Sequence, residues 1–487
     1  MQAVKWAYTA NWGERAFSAL FSFILAAILG PKDFGTVAIA LIYIQFLQLF
    51  LDQGFIAALI QKEDLALQHL NTVFWIDMAL STALVGASIL FGGWWAARNH
   101  APEATSIISV LSLCIPIEGL AIVQAAILKR EMDFKSLSIR SNVAVLVSGI
   151  VGLGSALLGF RVWALVIQQI TRDGVALLLL WKLSHWRPSF EFSWRHLKDL
   201  TNFSLSNFVA QLGIFVDMQL ASVLLGLFFG PVTVGLFRLA DRLVSSVVAM
   251  ATTSIQAVSL PEFCRNQNNS TGLRQSALSC IRLSALVTLP ALSGLAAVSQ
   301  SLMAMLGTKW IPATGALQVL CLTGMAMIFA FFTGPLLQAT SRPHHLAALE
   351  WGRLAVGAII LVAVGLWVRG TSISQEIMGI AAARFITVTL LVMPFFLYIL
   401  MKECRISVRD LAISAGPAAI SSVVVFLSVF VFRMTGMFLN AGPVIQVASQ
   451  VSVGGVFGST ALLLLDRQLR QLVWENVARG FHSSTTA

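Results

Sequence analysis

Arg238, Asp241 and Arg242 stand in GLFRLADRLV at 235–244, inside a long run of apolar residues. Their i, i+3, i+4 spacing puts all three on one face of a helix otherwise made of Val, Leu, Ala and Met. At bilayer depth an ionisable group costs about 2.5–3.5 kcal/mol on insertion scales, so such a face must turn toward a bundle interior or a water-filled hollow. The three charges could neutralise one another as a structural cluster. Two guanidiniums against one carboxylate nevertheless leave a positive remainder, which favours an anion site. Arginine suits that task because it stays charged and can grip phosphate oxygens with two parallel N–H donors.

Other ionisable residues fall in or near apolar runs: Glu14, Arg15, Asp52, Asp77, Glu118, Arg172, Asp173, Asp217, Arg282, Glu350, Arg353 and Arg384. Arg384 has no carboxylate within a helical turn and joins Arg15, Arg238 and Arg242 as a candidate for binding an anion. Glu14, Asp77, Asp217 and Asp241 are candidates for coupling an ion or for structural pairing. Glu350 and Arg353, spaced i, i+3, should neutralise each other. Arg172 and Asp173 are adjacent and need separate partners. Arg282 stands alone near the end of a run, where its stem can snorkel to the interface. Asp52 and Asp77 could sit near helix ends, where charge is cheap.

Catalytic chemistry has little to work with. The seven histidines show no ligand spacing, the five cysteines are scattered and odd in number, and no GxxxxGK[ST] loop is present. The sequence thus calls for no metal and no cofactor, and no extramembrane segment is long enough for a catalytic domain. Asn269-Ser270-Thr271 matches a glycosylation acceptor but falls in a loop expected on the inner side. A transporter is preferred over an enzyme.

The elements that position these residues follow from composition. With 57% hydrophobic and 11% charged residues, and a mean hydropathy of +0.83, the 487-residue chain is an all-α polytopic membrane protein. Spans of about 20 residues fit at 11–29, 35–60, 71–97, 104–128, 139–159, 162–183, 203–229, 233–257, 277–306, 313–339, 345–368, 375–401, 410–432 and 443–465. That gives about fourteen transmembrane helices, the first of them retained rather than removed as a signal peptide. The net charge of +10 reports topology, not nucleic acid. With the N-terminus inside, inner segments collect about nineteen basic residues and outer loops about six. Lys129, Arg130, Lys135 and Arg140 share one inner connection, and both termini are expected in the cytoplasm.

An internal repeat organises the spans. Gly30, Pro31 and Gly35 recur as Gly230, Pro231 and Gly235, each set joining a first apolar run to a second. EATSIISVLSL at 103–113 matches PATGALQVLCL at 312–322, in the same order within each half. Six spans per half is even, so the halves run in the same direction, related by an axis along the membrane normal. The expected division is an N-terminal lobe at 1–183 (spans 1–6), a cytoplasmic interfacial linker at 184–202 and a C-terminal lobe at 203–402 (spans 7–12). Spans 13 and 14 with a cytoplasmic tail fill 403–487.

Longer motifs carry a family resemblance. LFLDQGFIAALIQKEDL (49–65), HLNTVFW (69–75), ILKREMDFKSLSIRSN (127–142), LLGFRVWALVIQQ (157–169), WRPSFEFSW (186–194) and LGTKWIPA (306–313) resemble the polysaccharide transporter, or O-antigen flippase-like, family. The resemblance spans nearly the whole chain. It implies two six-helix lobes of the multidrug/oligosaccharidyl-lipid/polysaccharide exporter type in a bacterial inner membrane. It also implies a substrate: an oligosaccharide repeat unit on undecaprenyl diphosphate, moved from the cytoplasmic to the periplasmic leaflet for exopolysaccharide or lipopolysaccharide synthesis. Alternating access around a cationic cavity would do this, beside polymerase and export machinery. By analogy with related lipid II flippases, Arg15 and Arg238 or Arg242 would meet the diphosphate, and spans 13 and 14 the lipid tail. GLFRLADRLV is more charged than the usual family version, and Arg242 fits the pattern better than Arg238. A cation antiporter of the same superfamily is the alternative, with Asp52, Asp77 and Asp217 as its carboxylates. A membrane glycan polymerase would need larger outer loops than these.

Overall fold

The computed structural model describes residues 2–52, 55–62, 64–267, 269–339, 343–436, 442–466 and 470–471, with the backbone alone at some helical positions, Asp52 and residues 2–12 among them. Every regular element among the described residues is helical. Twelve helices are long and apolar enough to cross a membrane, thirteen when a bent pair at Pro231–Thr253 and Val258–Asn266 counts as one span. These thirteen coincide with expected spans 2–14. The first expected span lies in α1 (Gln2–Ile28), whose side chains are described from Gly13 onward.

Contacts group the chain into two compact units, Met1–Arg242 with Glu350–Ile380, and Leu243–Leu349 with Ala381–Ala487. The first holds α1, α2 (Pro31–Asp52), α3 (Phe55–Gln61), α4 (Leu67–Arg98), α5 (Ala104–Leu111), α6 (Cys114–Arg130), α7 (Phe134–Leu157), α8 (Val162–Leu183) and α9 (Trp194–Phe229). It also takes α10 (Pro231–Asn266) as far as Arg242. The second holds the rest of α10, then α11 (Ser270–Leu306), α12 (Thr314–Met327) and α13 (Thr333–Ala339). Next, α14 (Pro343–Trp367) and α15 (Ile373–Ile386) give 350–380 to the first unit, and α16 (Met393–Cys404), α17 (Val408–Met434) and α18 (Pro443–Leu465) return to the second. The lobe boundaries at 183, 203 and 402 rest on sequence symmetry and remain a proposal.

Local chemistry sets the helix ends. Pro31, Pro231 and Pro443 open their helices where a missing N–H costs nothing. Asp133 caps α7: its carboxylate accepts from the Ser136 N–H at 3.1 Å and the Ser136 hydroxyl at 2.6 Å. These two bonds hold the Asp133 carboxyl below the usual carboxylate range. Asn269 caps α11 by accepting from Gly272 N–H at 3.1 Å, which gives the glycosylation-like triplet a structural role.

Small residues set the packing distances, as membrane helices require in the absence of a hydrophobic drive between them. A Cβ on Gly149 of α7 would lie 2.2 Å from the Phe21 ring of α1, and one on Gly458 of α18 would lie 2.5 Å from Val425 of α17. The two copies of the Gly-Pro motif also meet. A Cβ on Gly35 would lie 1.6 Å from the Pro231 carbonyl oxygen, and one on Gly235 would lie 2.0 Å from that of Pro31.

The segment after α8 is pinned rather than loose. Asn71 donates to the Ser189 hydroxyl at 2.5 Å and accepts from Ser189 N–H at 3.1 Å. Trp75 donates to the Ser189 carbonyl at 2.8 Å and stacks on Phe190. Arg187 donates to the carbonyls of Trp181 and Ser184, covering the exposed end of α8. The linker expected at 184–202 turns helical at Trp194, where α9 opens and continues without a break to Phe229.

Candidate functional site: charged groups at membrane depth

Within the first unit a cavity of about 300 Å³ opens between α1, α2, α6, α7 and α8. Its polar lining is Glu14, Gln48, Glu118, Arg140, Ser141, Gln169, Arg172 and Asp173. Arg172 and Asp173 do take separate partners. Arg172 donates to Glu14 Oε1 at 2.7 Å, and Gln169 one turn earlier donates to both Asp173 oxygens at 3.2 and 3.0 Å. The Arg172–Glu14 bond joins α8 to α1 across 158 residues of sequence. Charge-assisted bonds of this kind are roughly twice as strong as neutral ones, which is why they can hold ions inside a bundle.

The stoichiometry of this cavity differs from the cationic chamber expected from the sequence. Three carboxylates, Glu14, Glu118 and Asp173, face two guanidiniums, Arg140 and Arg172. Of the residues expected to bind an anion or to couple an ion, only Glu14 lines it. Of the helices around the cavity, α1 and α6 each supply an acid, α7 a base, and α8 one of each.

The expected anion-binding arginines sit elsewhere. Arg238 is half-buried, and its guanidinium donates to Gln219 Oε1 of α9 at 2.6 Å. Gln219 in turn donates to Gln45 of α2 at 3.2 Å. Arg242, exposed on the same helix, donates to the Ser18 hydroxyl of α1 at 2.6 Å. Both arginines thus engage neutral oxygens of other helices, and Asp241 lies half-buried between them. Arg15 is partly exposed beside Glu14 and joins no ion pair among the described residues. Arg384 belongs to the second unit and is half-buried on α15.

The remaining acids divide clearly. Asp77 is fully buried in α4, away from a helix end. Asp217 of α9 accepts from Arg353 of α14 at 2.8 Å, and Glu350 takes the same guanidinium at 2.6 Å. The expected Glu350–Arg353 pair therefore forms, with Asp217 as a third member. Arg282 does not simply snorkel: it pairs through two nitrogens with Asp466 at the end of α18. Arg274 pairs with Asp410 at 2.7 Å in the same unit.

Amides inside the spans share this chemistry. Gln45, Gln48, Gln169 and Gln219 all lie within apolar spans: Gln169 and Gln219 meet charged groups, Gln48 lines the charged cavity, and Gln45 meets Gln219. The i, i+4 spacing of Gln169 and Asp173 was the available signal. Arg140 follows Lys129, Arg130 and Lys135 in sequence and so resembles a topology residue, although it lies a full turn inside α7.

The succinoglycan biosynthesis transport protein ExoT of Rhizobium meliloti (strain 1021) is 24% identical over 468 residues, 96% of this chain and 93% of that protein. In structure the chain is similar to the lipid II flippase MurJ in an inward closed conformation, with a TM-score of 0.71, 11% identity and coverage of 94% and 98%. An inward-facing multidrug resistance MATE family transporter of the MOP superfamily gives a TM-score of 0.63 at 16% identity, covering 82% and 94%. These likenesses define the fold, a polytopic helical bundle of the MurJ and MATE kind. Residues 24–314 match the family described as polysaccharide biosynthesis protein, and with that match over more than half its length the chain belongs to this family.

Proposed function

We propose that the protein is a flippase for lipid-linked glycan repeat units, carrying an oligosaccharide on undecaprenyl diphosphate from the cytoplasmic to the periplasmic leaflet of a bacterial inner membrane. It is a transport protein and not an enzyme, as its relative ExoT is a transport protein. The observation that carries the finer reading is Arg238. Its charge lies within a membrane span, where the guanidinium donates to the neutral Gln219 amide oxygen at 2.6 Å and Asp241 on the same helix offsets part of the charge. A phosphorylated headgroup is the kind of ligand that such a cation would stabilise inside a bundle. Arg15 and Arg242 extend the cationic face, and Arg384 is a separate candidate on α15. Spans 13 and 14, now α17 and α18, would hold the polyprenyl tail.

The lobes would work by alternating access, with both termini in the cytoplasm and with polymerase and export machinery receiving the product. The membrane potential can contribute: one negative charge moved outward through 100 mV, inside negative, releases about 2.3 kcal/mol. Alanine substitution of Arg15 and of Arg242 should abolish polymer export in a strain lacking its own flippase while the protein accumulates normally. Undiminished polymer from both variants would remove these arginines from the site.

A cation antiporter is the second reading, and one observation favours it. The cavity of the first unit carries three carboxylates against two guanidiniums, which suits a cation. Drug efflux that depends on Glu118 or Asp173, with no effect of either on polymer, would establish it.

A further inference from the structure

Two short segments separated by 200 positions, GPKDFG and GPVTVG, begin α2 and α10 in the same way: glycine, proline at the first helical position, glycine four residues on. Each inner glycine lies against the carbonyl of the other motif's proline. An added Cβ would overlap Pro231 oxygen at 1.6 Å from Gly35, and Pro31 oxygen at 2.0 Å from Gly235. Each would also stand 2.9 Å from the other glycine's nitrogen. The contact is reciprocal, backbone on backbone, and no residue with a side chain could make it. It brings the glycine Cα hydrogens against carbonyl oxygens, a weak but recurring helix–helix bond.

Position gives this contact a meaning. Both motifs stand at the membrane face opposite the Lys/Arg-rich connections, the extracytoplasmic face by charge bias. The flanking residues Val37, Ile39, Val234, Leu236 and Phe237 are buried, so the contact is dry. Moving inward along the same helices come the Gln45–Gln219–Arg238 chain and the Arg242–Ser18 bond. The arginines assigned to the substrate thus lie on the cytoplasmic side of the glycine contact.

We propose that the reciprocal Gly35–Gly235 contact is the extracytoplasmic closure of the transport path, shut in this structure, and that helices α2 and α10 must part there for cargo to leave. This rests on the reading of the protein as a transporter, though not on the identity of its cargo. Glycine is required at both positions for closure, whereas Gly30, where a Cβ would meet nothing within 4 Å, is not part of the seal.

The experiment is one-sided thiol labelling of intact cells in a chain whose five cysteines are replaced by alanine. Lys32→Cys reports the outer side of the contact, since Lys32 is 57% exposed; Ala38→Cys, at a position 7% exposed, reports the inner side. A membrane-impermeant reagent should modify position 32 readily and position 38 slowly. Adding Gly35→Ala or Gly235→Ala should raise the rate at position 38 by about tenfold or more, as a shift toward the open state. Gly30→Ala should leave it unchanged. Equal rates at 32 and 38 in the parent overturn the proposal, and that comparison needs neither glycine variant to fold. A well-expressed Gly35→Ala chain labelled at the parent rate overturns it too. Because labelling reads closure and polymer export reads cargo, a closure confirmed in a protein that exports no glycan would refute the proposed function alone.

Discussion

The two compact units treat intramembrane charge in opposite ways. In the second unit, Arg274 pairs with Asp410 and Arg282 with Asp466, one acid to one base, each joining α11 to a neighbour near a helix end. In the first unit the ratios are uneven. Asp217 and Glu350 share Arg353, three carboxylates meet two guanidiniums in one cavity, and Arg238 rests on an amide. A one-to-one pair has nothing left to offer a ligand, so it acts as a tether. An unmatched group keeps a residual charge that a moving partner can satisfy. The even pairs of the second unit therefore act as tethers, whereas the uneven groups of the first are the ones a moving partner could satisfy.

Breaking a tether should cost the most stability. Arg282→Ala removes the guanidinium that pairs with the Asp466 side chain, which is 2% exposed, and loss of one partner of a buried pair costs about 3–5 kcal/mol. Thermal unfolding in detergent should show a large fall, with export dropping only in proportion to the protein that remains. Replacing both residues with apolar ones of similar volume should recover most of the loss. A full-strength protein after Arg282→Ala would erase the distinction between the units.

Arg172→Ala should behave the other way round. Its pair with Glu14 is 41% and 30% exposed to the cavity, so solvent screening softens the stability cost. Export per molecule should fall about tenfold, as expected for loss of a positioned charge, and Arg172→Lys should restore only part of it because lysine lacks the planar fork. Asp217→Asn should do less, since Glu350 still holds Arg353 at 2.6 Å. A smaller export defect than that of Arg353→Ala, measured side by side, would support the shared arrangement.

The smallest effect is expected at Asp133→Ala, which removes the α7 cap for about 1 kcal/mol. The folded-state pKa of Asp133 lies below its unfolded value, so the cap contributes fully above the unfolded value of about 3.9 and fades as pH falls through the folded value. Unfolding temperatures of parent and variant should differ by the same amount at pH 7 and pH 6.

Much of this was readable from the chain. Hydropathy placed thirteen spans because lipid demands about 20 apolar residues whatever the tertiary contacts. Helical spacing found the Glu350–Arg353 pair, since both members sit on one helix. What periodicity could not reveal was pairing between helices. Arg172 with Glu14, Arg353 with Asp217 and Arg282 with Asp466 are separated by 136 to 184 residues, and nothing local in the sequence names the partner. The same limit explains why Arg140 read as a topology marker and why the intramembrane glutamines went unremarked. The Gly-Pro repeat was visible as a pattern, but the meeting of its copies was not.

That meeting has the form of an isologous interface, the same patch presented by both sides, as in a two-fold dimer. Where one surface serves as its own complement, the two glycines form a single unit of heredity and of failure. Once either residue has acquired a methyl group and the helices stand apart, the second substitution finds its space already made. Gly35→Ala combined with Gly235→Ala should therefore be scarcely worse than either alone, the strong non-additivity expected of residues in direct contact.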